Sequence, residues 1–321
     1  MNDSFDWKAS GDLFYRLNTF YRHEFHSSVR KISVDAGLQC PNINPDGTGG
    51  CIFCNNASFS QIHCNSLDRN SLKSITQQID EQISARKRHP NVRFLIYFQP
   101  STNTNAPVDH LAALYQEALS HPKSSGIIIG TRPDTLPKEV VDLLSSLSKN
   151  AWLMVEIGLQ TMHNETLDFL NRGHDYQTFC QAVHHLATYN IRIGVHLILG
   201  LPGETDAQLL QTSEEMSRLP IHSVKLHNLY VYEKTKLADL YRSGKITLPS
   251  YEQYCRYVVD FLERQSPRTV VDRIISDPTI DCLIAPDWMK KRDYSKSRFY
   301  QDVVKEFQKR SSYQGKLFRD T

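Results

Sequence analysis

Residues 29–59 read VRKISVDAGLQCPNINPDGTGGCIFCNNASF and include three of the seven cysteines of the chain. An apolar run at 29–34 leads into a loop in which ten residues separate Cys40 from Cys51 and two separate Cys51 from Cys54. Glycines at positions 47, 49 and 50 let such a loop fold tightly, because glycine adopts positive φ angles without steric cost. The pattern predicts a buried strand followed by a compact loop that presents thiolates to a metal or cluster.

Two kinds of metal site fit this spacing. A structural zinc site needs four protein ligands, and Cys64 or His63 would supply the fourth. A [4Fe–4S] cluster held by only three cysteines would leave one iron open to another ligand. The third interpretation is three unrelated cysteines, which the clustering in a glycine-rich loop disfavours. Spacing alone leaves zinc and cluster equally open.

The composition is that of an ordinary globular protein. The chain has 321 residues with 37 basic and 35 acidic side chains, which excludes collagen-like, coiled-coil and wholly disordered classes. No run approaches the ~20 apolar residues of a membrane helix, and the polar start lacks the apolar centre of a signal peptide. Seven cysteines, an odd number, also fit a reducing compartment. We therefore expect a soluble, cytoplasmic protein.

Short apolar runs alternate with segments of helical periodicity, which predicts an α/β fold with a parallel sheet and outer helices. The predicted strands lie within residues 29–34, 92–98, 126–130, 152–159, 191–199 and 223–232. The predicted helices lie within residues 72–83, 111–118, 140–147, 164–189, 204–219 and 235–241, the first capped by Asn70 or Ser71. We expect an N-terminal arm at 1–28, a core at 29–265 and a C-terminal extension at 266–321. Ligands of such sheets bind at the carboxyl ends of the strands.

Further motifs follow the cysteine loop along the chain. They are YFQPSTNTNAP (97–107), GTRPD (130–134), VEIGLQT (155–161), NRGHD (171–175), HLILGLPGET (196–205), VKLHNLYV (224–231) and LIAPDW (283–288). With Phe53 before the last cysteine of the loop, their order resembles the radical S-adenosylmethionine (SAM) superfamily. The resemblance is to the branch of the elongator catalytic subunit and its bacterial relatives of the YhcC/MnmL type. The ten-residue spacing departs from the three residues usual in the superfamily.

This resemblance implies a partial (β/α)6 barrel, with Cys40, Cys51 and Cys54 holding a [4Fe–4S] cluster. It further implies that the open iron binds SAM, and that one electron, from a reductant such as flavodoxin or ferredoxin, cleaves SAM to a 5′-deoxyadenosyl radical. That radical removes a hydrogen atom from the substrate.

The same resemblance implies where SAM is bound. Gln99 and Ser101 follow the second strand, in place of the usual Gly-Gly-Glu that takes the amino group of SAM. Gly200 and Pro202 match the backbone on which the adenine lies. Phe53 belongs to the cysteine motif.

Glu156 and Gln160 lie in an otherwise apolar strand. A lone buried carboxylate costs several kcal/mol, so Glu156 requires a partner. The candidates are SAM, Arg132, a substrate, or simply an ion pair in the core.

Substrate contacts are expected from polar residues at the ends of later strands and in nearby loops: Arg132, Arg172, His174, Lys225, His227 and Tyr230. Arginine suits carboxylate or phosphate groups. The alternative roles are a helix cap for Arg172 and a core histidine for His227.

The last 32 residues, 290–321, contain ten basic and four acidic side chains. This excess predicts either a phosphate-binding surface or a solvated terminal helix. Together with the resemblance it favours tRNA as substrate, with conversion of carboxymethylaminomethyl-uridine to aminomethyl-uridine at the wobble position as the reaction. The alternatives are a non-catalytic, zinc-stabilised RNA-binding protein and a radical SAM enzyme acting on a small metabolite.

Overall fold

Seven parallel strands form one curled sheet in the computed structural model, which describes residues 6–54, 72–85 and 91–319. The order β1-β2-β3-β4-β5-β6-β8 follows the chain, as expected for repeated βα units. The strands are β1 (Ser28–Val34), β2 (Val92–Phe98), β3 (Ser124–Thr131), β4 (Leu153–Gln160), β5 (Arg192–Leu199), β6 (Ser223–Asn228) and β8 (Val270–Arg273). A separate antiparallel pair joins β7 (Val231–Tyr232) to β9 (Leu283–Ala285).

Helices follow the strands and cover the convex face of the sheet. They are α1 (Leu17–Phe25), α2 (Ile75–Ser84), α3 (Val108–Ser120), α4 (Lys138–Ser148), α5 (Asn164–Phe169), α6 (Tyr176–Thr188), α7 (Asp206–Arg218), α8 (Lys236–Arg242), α9 (Tyr251–Arg264) and α10 (Lys296–Lys309). The main core lies between sheet and helices and includes Ile96, Ile127 and Val155, all fully buried. Burial of each such side chain contributes about 1.5–3 kcal/mol.

The partial barrel is confirmed, but with a seventh parallel strand where the sequence predicted six. This strand, β8, comes from residues beyond 265 and pairs with β6. Among the described residues β1 pairs only with β2, so the sheet curls without closing.

The N-terminal arm lies along the open side. The backbone N–H of Val271 on β8 donates to the carbonyl of Tyr15 at 2.7 Å, and Arg16 forms a parallel bridge to the same residue. Helix α1 then places Tyr21 against Leu95 and Met154, which close the amino-terminal end of the barrel interior. The mouth at the carboxyl ends of the strands is therefore the side left for ligands.

Three predicted elements differ from those observed. Helix α2 begins at Ile75, and Ser74 caps it by forming a capping box with Gln77. The predicted caps Asn70 and Ser71 lie outside the described residues. The predicted helix at 164–189 is two helices separated by a loop at 170–175. The predicted strand at 223–232 is broken after Asn228, and its last part pairs with β9.

The C-terminal segment is an integral part of the fold. Helix α10 buries Phe299, Val303 and Phe307, which pack in the main core. Five of the ten cations in residues 290–321 are paired with carboxylates. Some of these acids precede the segment, such as Asp277 for Lys296 and Asp260 for Arg310.

In the part of the chain that the structure describes, no helix has the length and apolar character needed to cross a bilayer.

Candidate functional site

The cysteine loop leaves β1 and is held by its own backbone hydrogen bonds. The N–H of Cys54 donates to the carbonyl of Cys51 at 3.0 Å, and that of Ile43 to the carbonyl of Cys40 at 3.1 Å. Gly47, Gly49 and Gly50 all have φ near +80°, as the sequence predicted for a tight loop. The loop thus brings residues ten positions apart to one place.

The three sulfurs lie close enough to influence one another. Burial raises the pKa of Cys54 to about 12, and the neighbouring Cys51 and Cys40 add to the rise, against the charges of Arg172 and Arg132. None of the three cysteines is in a disulfide. Buried thiolates that disfavour one another are compensated by a bound cation, and thiolate sulfur is the ligand of iron–sulfur clusters. The donor set therefore fits such a cluster.

A site for a single metal ion is not found among the described residues. Within residues 6–54, 72–85 and 91–319, no three His, Cys, Asp or Glu side chains converge on a point that one metal ion would occupy. Cys64 and His63, the suggested fourth zinc ligands, lie outside the described residues. A cluster of four irons spreads its ligands further apart than a single ion does, so this result does not conflict with the cluster interpretation.

Arg172 connects the cysteine loop to the sheet. Its guanidinium donates to the sulfur of Cys51 at 3.6 Å and to the carbonyl of Gly158 on β4 at 2.6 Å. A Cβ at position 158 would lie 2.7 Å from the same guanidinium, so the contact requires glycine there. Arg172 thus contacts a predicted ligand and is not merely a helix cap.

Arg132 and His174 lie beside Arg172. Arg132 donates to both carboxylate oxygens of Asp134 at 2.9 Å and to the carbonyl of Arg172 at 2.8 Å. It therefore pairs with Asp134 and not with Glu156, contrary to one sequence-based candidate. Burial and the two nearby arginines lower the pKa of His174 to about 4, and its Nε2 has no hydrogen-bond partner among the described residues.

A second group of polar side chains fills the barrel interior. We call it the lumen cluster, and its members come from six strands: Lys31, Tyr97, Glu156, His196, Lys225 and Asp272. Lys31 on β1 and Glu156 on β4 are not neighbours in the sheet, so their 3.0 Å contact crosses the concave side.

Glu156 is the centre of the lumen cluster. One carboxylate oxygen accepts from Tyr97 (2.7 Å), His196 Nε2 (2.6 Å) and Lys225 (2.7 Å), and the other from Lys31, which also contacts Asp272 at 2.5 Å. The buried carboxylate is thus satisfied by protein groups, as in the core ion-pair alternative of the sequence analysis.

Burial and charge set the protonation of this cluster. Burial would raise the pKa of Glu156, but the charges of Lys225 and Lys31 outweigh it and hold that pKa well below its ordinary value. Burial lowers the pKa of Lys225 to about 8 against the opposing charge of Glu156. Burial and Lys225 lower the pKa of His196 to about 4. His196 is therefore neutral at pH 7 and donates through Nε2.

Four members of the lumen cluster were not among the predicted site residues, namely Lys31, Tyr97, His196 and Asp272, although the same signal marks two of them. Lys31 and His196 are polar residues in apolar strands, as Glu156 is. Asp272 follows Val270 and Val271 in a strand too short to recognise by pattern.

The remaining predicted residues lie in several places. His227 neighbours the cluster, with its ring centroid 5.3 Å from that of His196. Tyr230 packs in the main core, where its hydroxyl pairs with Ser276 at 2.6 Å. Gln99 accepts from Ser33 at 2.8 Å, whereas Ser101 is exposed with a φ of +65°.

Gln160 ends β4 beyond a register shift, with a φ of +84°. Gly200 and Pro202 line a cleft of about 500 Å³ together with residues 245–249. Phe53 packs against the apolar cluster that contains Leu201, so the cysteine loop and the Gly-Leu-Pro-Gly turn share one contact surface.

Comparison with known proteins agrees with these features. The family model of the radical SAM superfamily matches residues 42–216, and that of the radical SAM C-terminal domain matches residues 221–308. The uncharacterized protein YtqA of Bacillus subtilis is 34% identical over 99% of this chain and 97% of its own length.

More distant relatives agree with the resemblance to the elongator branch. The tRNA uridine(34) acetyltransferase of Methanocaldococcus jannaschii is 27% identical over 51% of this chain, which spans only 30% of that protein. The structure of Methanocaldococcus infernus Elp3 superposes with a TM-score of 0.64 and 16% identity, over 90% of this chain and 64% of that one. The structural likeness shows a common fold.

The superfamily model matches half of the chain, and a relative, YtqA, is similar to the chain over nearly its full length. The superfamily consists of enzymes, which excludes the non-catalytic zinc interpretation. The chain therefore belongs to the radical SAM superfamily, and it is an enzyme whose cofactors are a [4Fe–4S] cluster and S-adenosylmethionine.

Proposed function

We propose that this enzyme modifies the wobble uridine of tRNA, converting a carboxymethylaminomethyl group to an aminomethyl group. The observation that carries the proposal is the relationship to proteins of the elongator branch, one of which is named for acetyl transfer to tRNA uridine 34. The barrel interior adds support, because buried lysines, histidines and carboxylates there make it a polar chamber suited to a charged substrate group.

In this proposal Cys40, Cys51 and Cys54 are the three ligands of the cluster. When bound, the cluster and SAM would supply radical chemistry at the carbon between amine and carboxylate, which acid–base side chains cannot activate. The overall reaction balances with SAM as the two-electron oxidant: SAM, the modified uridine and water would give methionine, 5′-deoxyadenosine, the aminomethyl-uridine and glyoxylate. Arg172 holds Cys51 in place and neutralises part of the thiolate charge. The apolar groups Phe53 and Leu201 exclude water from the space next to the loop.

Surface charge supports a large anionic partner. Lys291 and Arg292 are exposed, and their side chains form no hydrogen bond or ion pair with the described residues. They follow β9, which pairs with β7 just beyond the carboxyl end of β6. Free cations on the side of the barrel mouth suit contacts with tRNA phosphates.

The substrate is tested with tRNA from wild-type cells and from cells lacking this gene. We expect carboxymethylaminomethyl-uridine to accumulate in the deletion strain, as measured by mass spectrometry of nucleosides. The reconstituted, reduced enzyme should convert that tRNA to the aminomethyl form and produce 5′-deoxyadenosine. Identical nucleosides in both strains would refute tRNA as substrate and favour a small metabolite.

The cluster ligands are tested by iron content. We expect Cys51→Ala to lose most of the iron and the brown colour of the anaerobically purified protein, because one of three thiolate ligands is missing. Cys180→Ala is the matched control, since Cys180 lies on α6 away from the loop, and it should keep both. Equal iron content in the two variants contradicts the assignment.

A further inference from the structure

Arg273 is a cation at the barrel mouth that no motif of the sequence pointed to. It ends β8, and its register partner on β6 is Lys225. A register shift precedes this pair, so Asp272 and Arg273 do not alternate as in a regular strand. The charge of Arg273 acts on Lys225, His227 and Tyr97, which places it beside the lumen. Arg273 is half-buried and forms no hydrogen bond or ion pair within the described residues.

His227 lies within the influence of this arginine. Burial, followed by the charge of Arg273, lowers the pKa of His227 well below its ordinary value, so the imidazole is neutral. Its Nε2 is buried and has no partner among the described residues. A buried ring nitrogen without a partner costs free energy unless a ligand satisfies it.

The charges of the lumen cluster explain why Arg273 lacks a partner. Lys31 and Lys225 are matched by Glu156 and Asp272, which already accept hydrogen bonds from them. The neighbouring histidines are neutral. Arg273 therefore adds one unmatched positive charge to a lumen that is otherwise balanced.

We propose that Arg273 and His227 form a receptor for a carboxylate of the substrate. The planar guanidinium suits both carboxylate oxygens, and the Nε2–H of a neutral imidazole would donate to one of them. This inference rests on the proposed function and deepens it, since the carboxymethyl group to be removed carries such a carboxylate. The methionine carboxylate of SAM has the same chemistry and is the competing source.

The first test uses Arg273→Gln, Arg273→Lys and the control Arg256→Gln, which removes an exposed arginine from α9. With tRNA bearing the carboxymethylaminomethyl group, we expect Arg273→Gln to raise KM about 10- to 100-fold, the effect of losing a charge-assisted pair. Arg273→Lys should recover part of this loss, because lysine restores the positive charge but cannot donate to both carboxylate oxygens as a guanidinium does. Affinity for SAM, from equilibrium dialysis, should not change.

The second test does not need tRNA. Ligand-observed NMR compares N-methylglycine with its neutral amide on the reconstituted enzyme. We expect the acid to bind the wild type and Arg256→Gln, and the amide to bind neither. The Arg273→Gln variant should no longer bind the acid.

The outcomes separate the two proposals. Equal binding of acid and amide, or acid binding that survives Arg273→Gln, overturns the receptor. A fall in SAM affinity with acid binding retained assigns Arg273 to SAM and also overturns it. If the enzyme leaves tRNA unchanged but binds the acid through Arg273, the tRNA proposal fails and the receptor stands.

Discussion

Glu156 illustrates what a single residue reveals in a sequence and what it does not. A carboxylate inside an apolar strand must have a partner, and this could be predicted from the cost of burying a charge. The partner itself could not, because Lys31 is 125 positions away and Lys225 is 69. Only the curl of the sheet brings β1, β4 and β6 to one point.

Replacing Glu156 by glutamine should destabilise the protein strongly. The variant leaves Lys31 with Asp272 alone and Lys225 without a carboxylate in contact. Removal of one partner from a buried ion pair typically costs about 3–5 kcal/mol. We expect a loss of this size in the free energy of unfolding, measured by urea denaturation at pH 7.

Glu81→Gln is the matched control for this change. Glu81 pairs with Lys73 on the surface, where both side chains are more than half exposed. Exposed pairs contribute about 0–1 kcal/mol, so the control should lie within that range. If Glu156→Gln is no more destabilising than Glu81→Gln, the lumen cluster does not stabilise the fold.

At the scale of elements, the positions of the strands could be predicted from the sequence, but the breaks within two predicted elements could not. Apolar runs mark the strands, but the run after Asn228 is as apolar as β6 itself. Its turn toward β9 depends on pairing of Val231 with Ala285 and of Tyr232 with Leu283, far along the chain. Similarly, the loop at 170–175 contains Gly173 at a φ of +75°, where a Cβ would lie 2.4 Å from Oδ1 of Asn42. Both interruptions follow from tertiary contacts that local periodicity does not record.

His222 joins three strands and gives the stability a dependence on pH. Its Nδ1 accepts from the backbone N–H of Ile193 at 3.0 Å, and its carbonyl accepts from Val270. The sequence analysis did not anticipate this role for a histidine between helix and strand. Burial, followed by the charge of Arg192, lowers the pKa of His222 to about 4.

The unfolded state binds a proton at His222 near pH 6.5, whereas the folded state binds one only near pH 4. Stability is therefore lost as the pH falls from about 6.5 to about 4. His222→Asn keeps an acceptor but does not titrate. Over this pH interval its free energy of unfolding should therefore fall by about 1–3 kcal/mol less than that of the wild type. Urea unfolding at a series of pH values measures this. The exposed His184→Asn serves as control, and a His222→Asn profile parallel to the wild type contradicts the assignment.

At the scale of the whole molecule, the basic excess of the C-terminal segment is smaller than its sequence implies. Lys296 pairs with Asp277, and Arg310 with Asp260, both of which precede the segment. Lys305 pairs with Asp302 inside it. A count along the chain cannot show this, because the compensating acids come from other elements. The unpaired cations, not the whole segment, should then carry any contact with RNA.

This argument predicts which lysines and arginines affect binding of tRNA. The double variant Lys291→Gln/Arg292→Gln should bind tRNA more weakly and lower the slope of log K against log salt by roughly 1–2, since about two phosphate contacts are lost. Lys296→Gln/Lys305→Gln removes the same charge from paired positions and should keep the wild-type slope. Filter binding at four salt concentrations measures both. Equal slopes for the two variants would mean that net charge, not the position of free cations at the barrel mouth, governs the association.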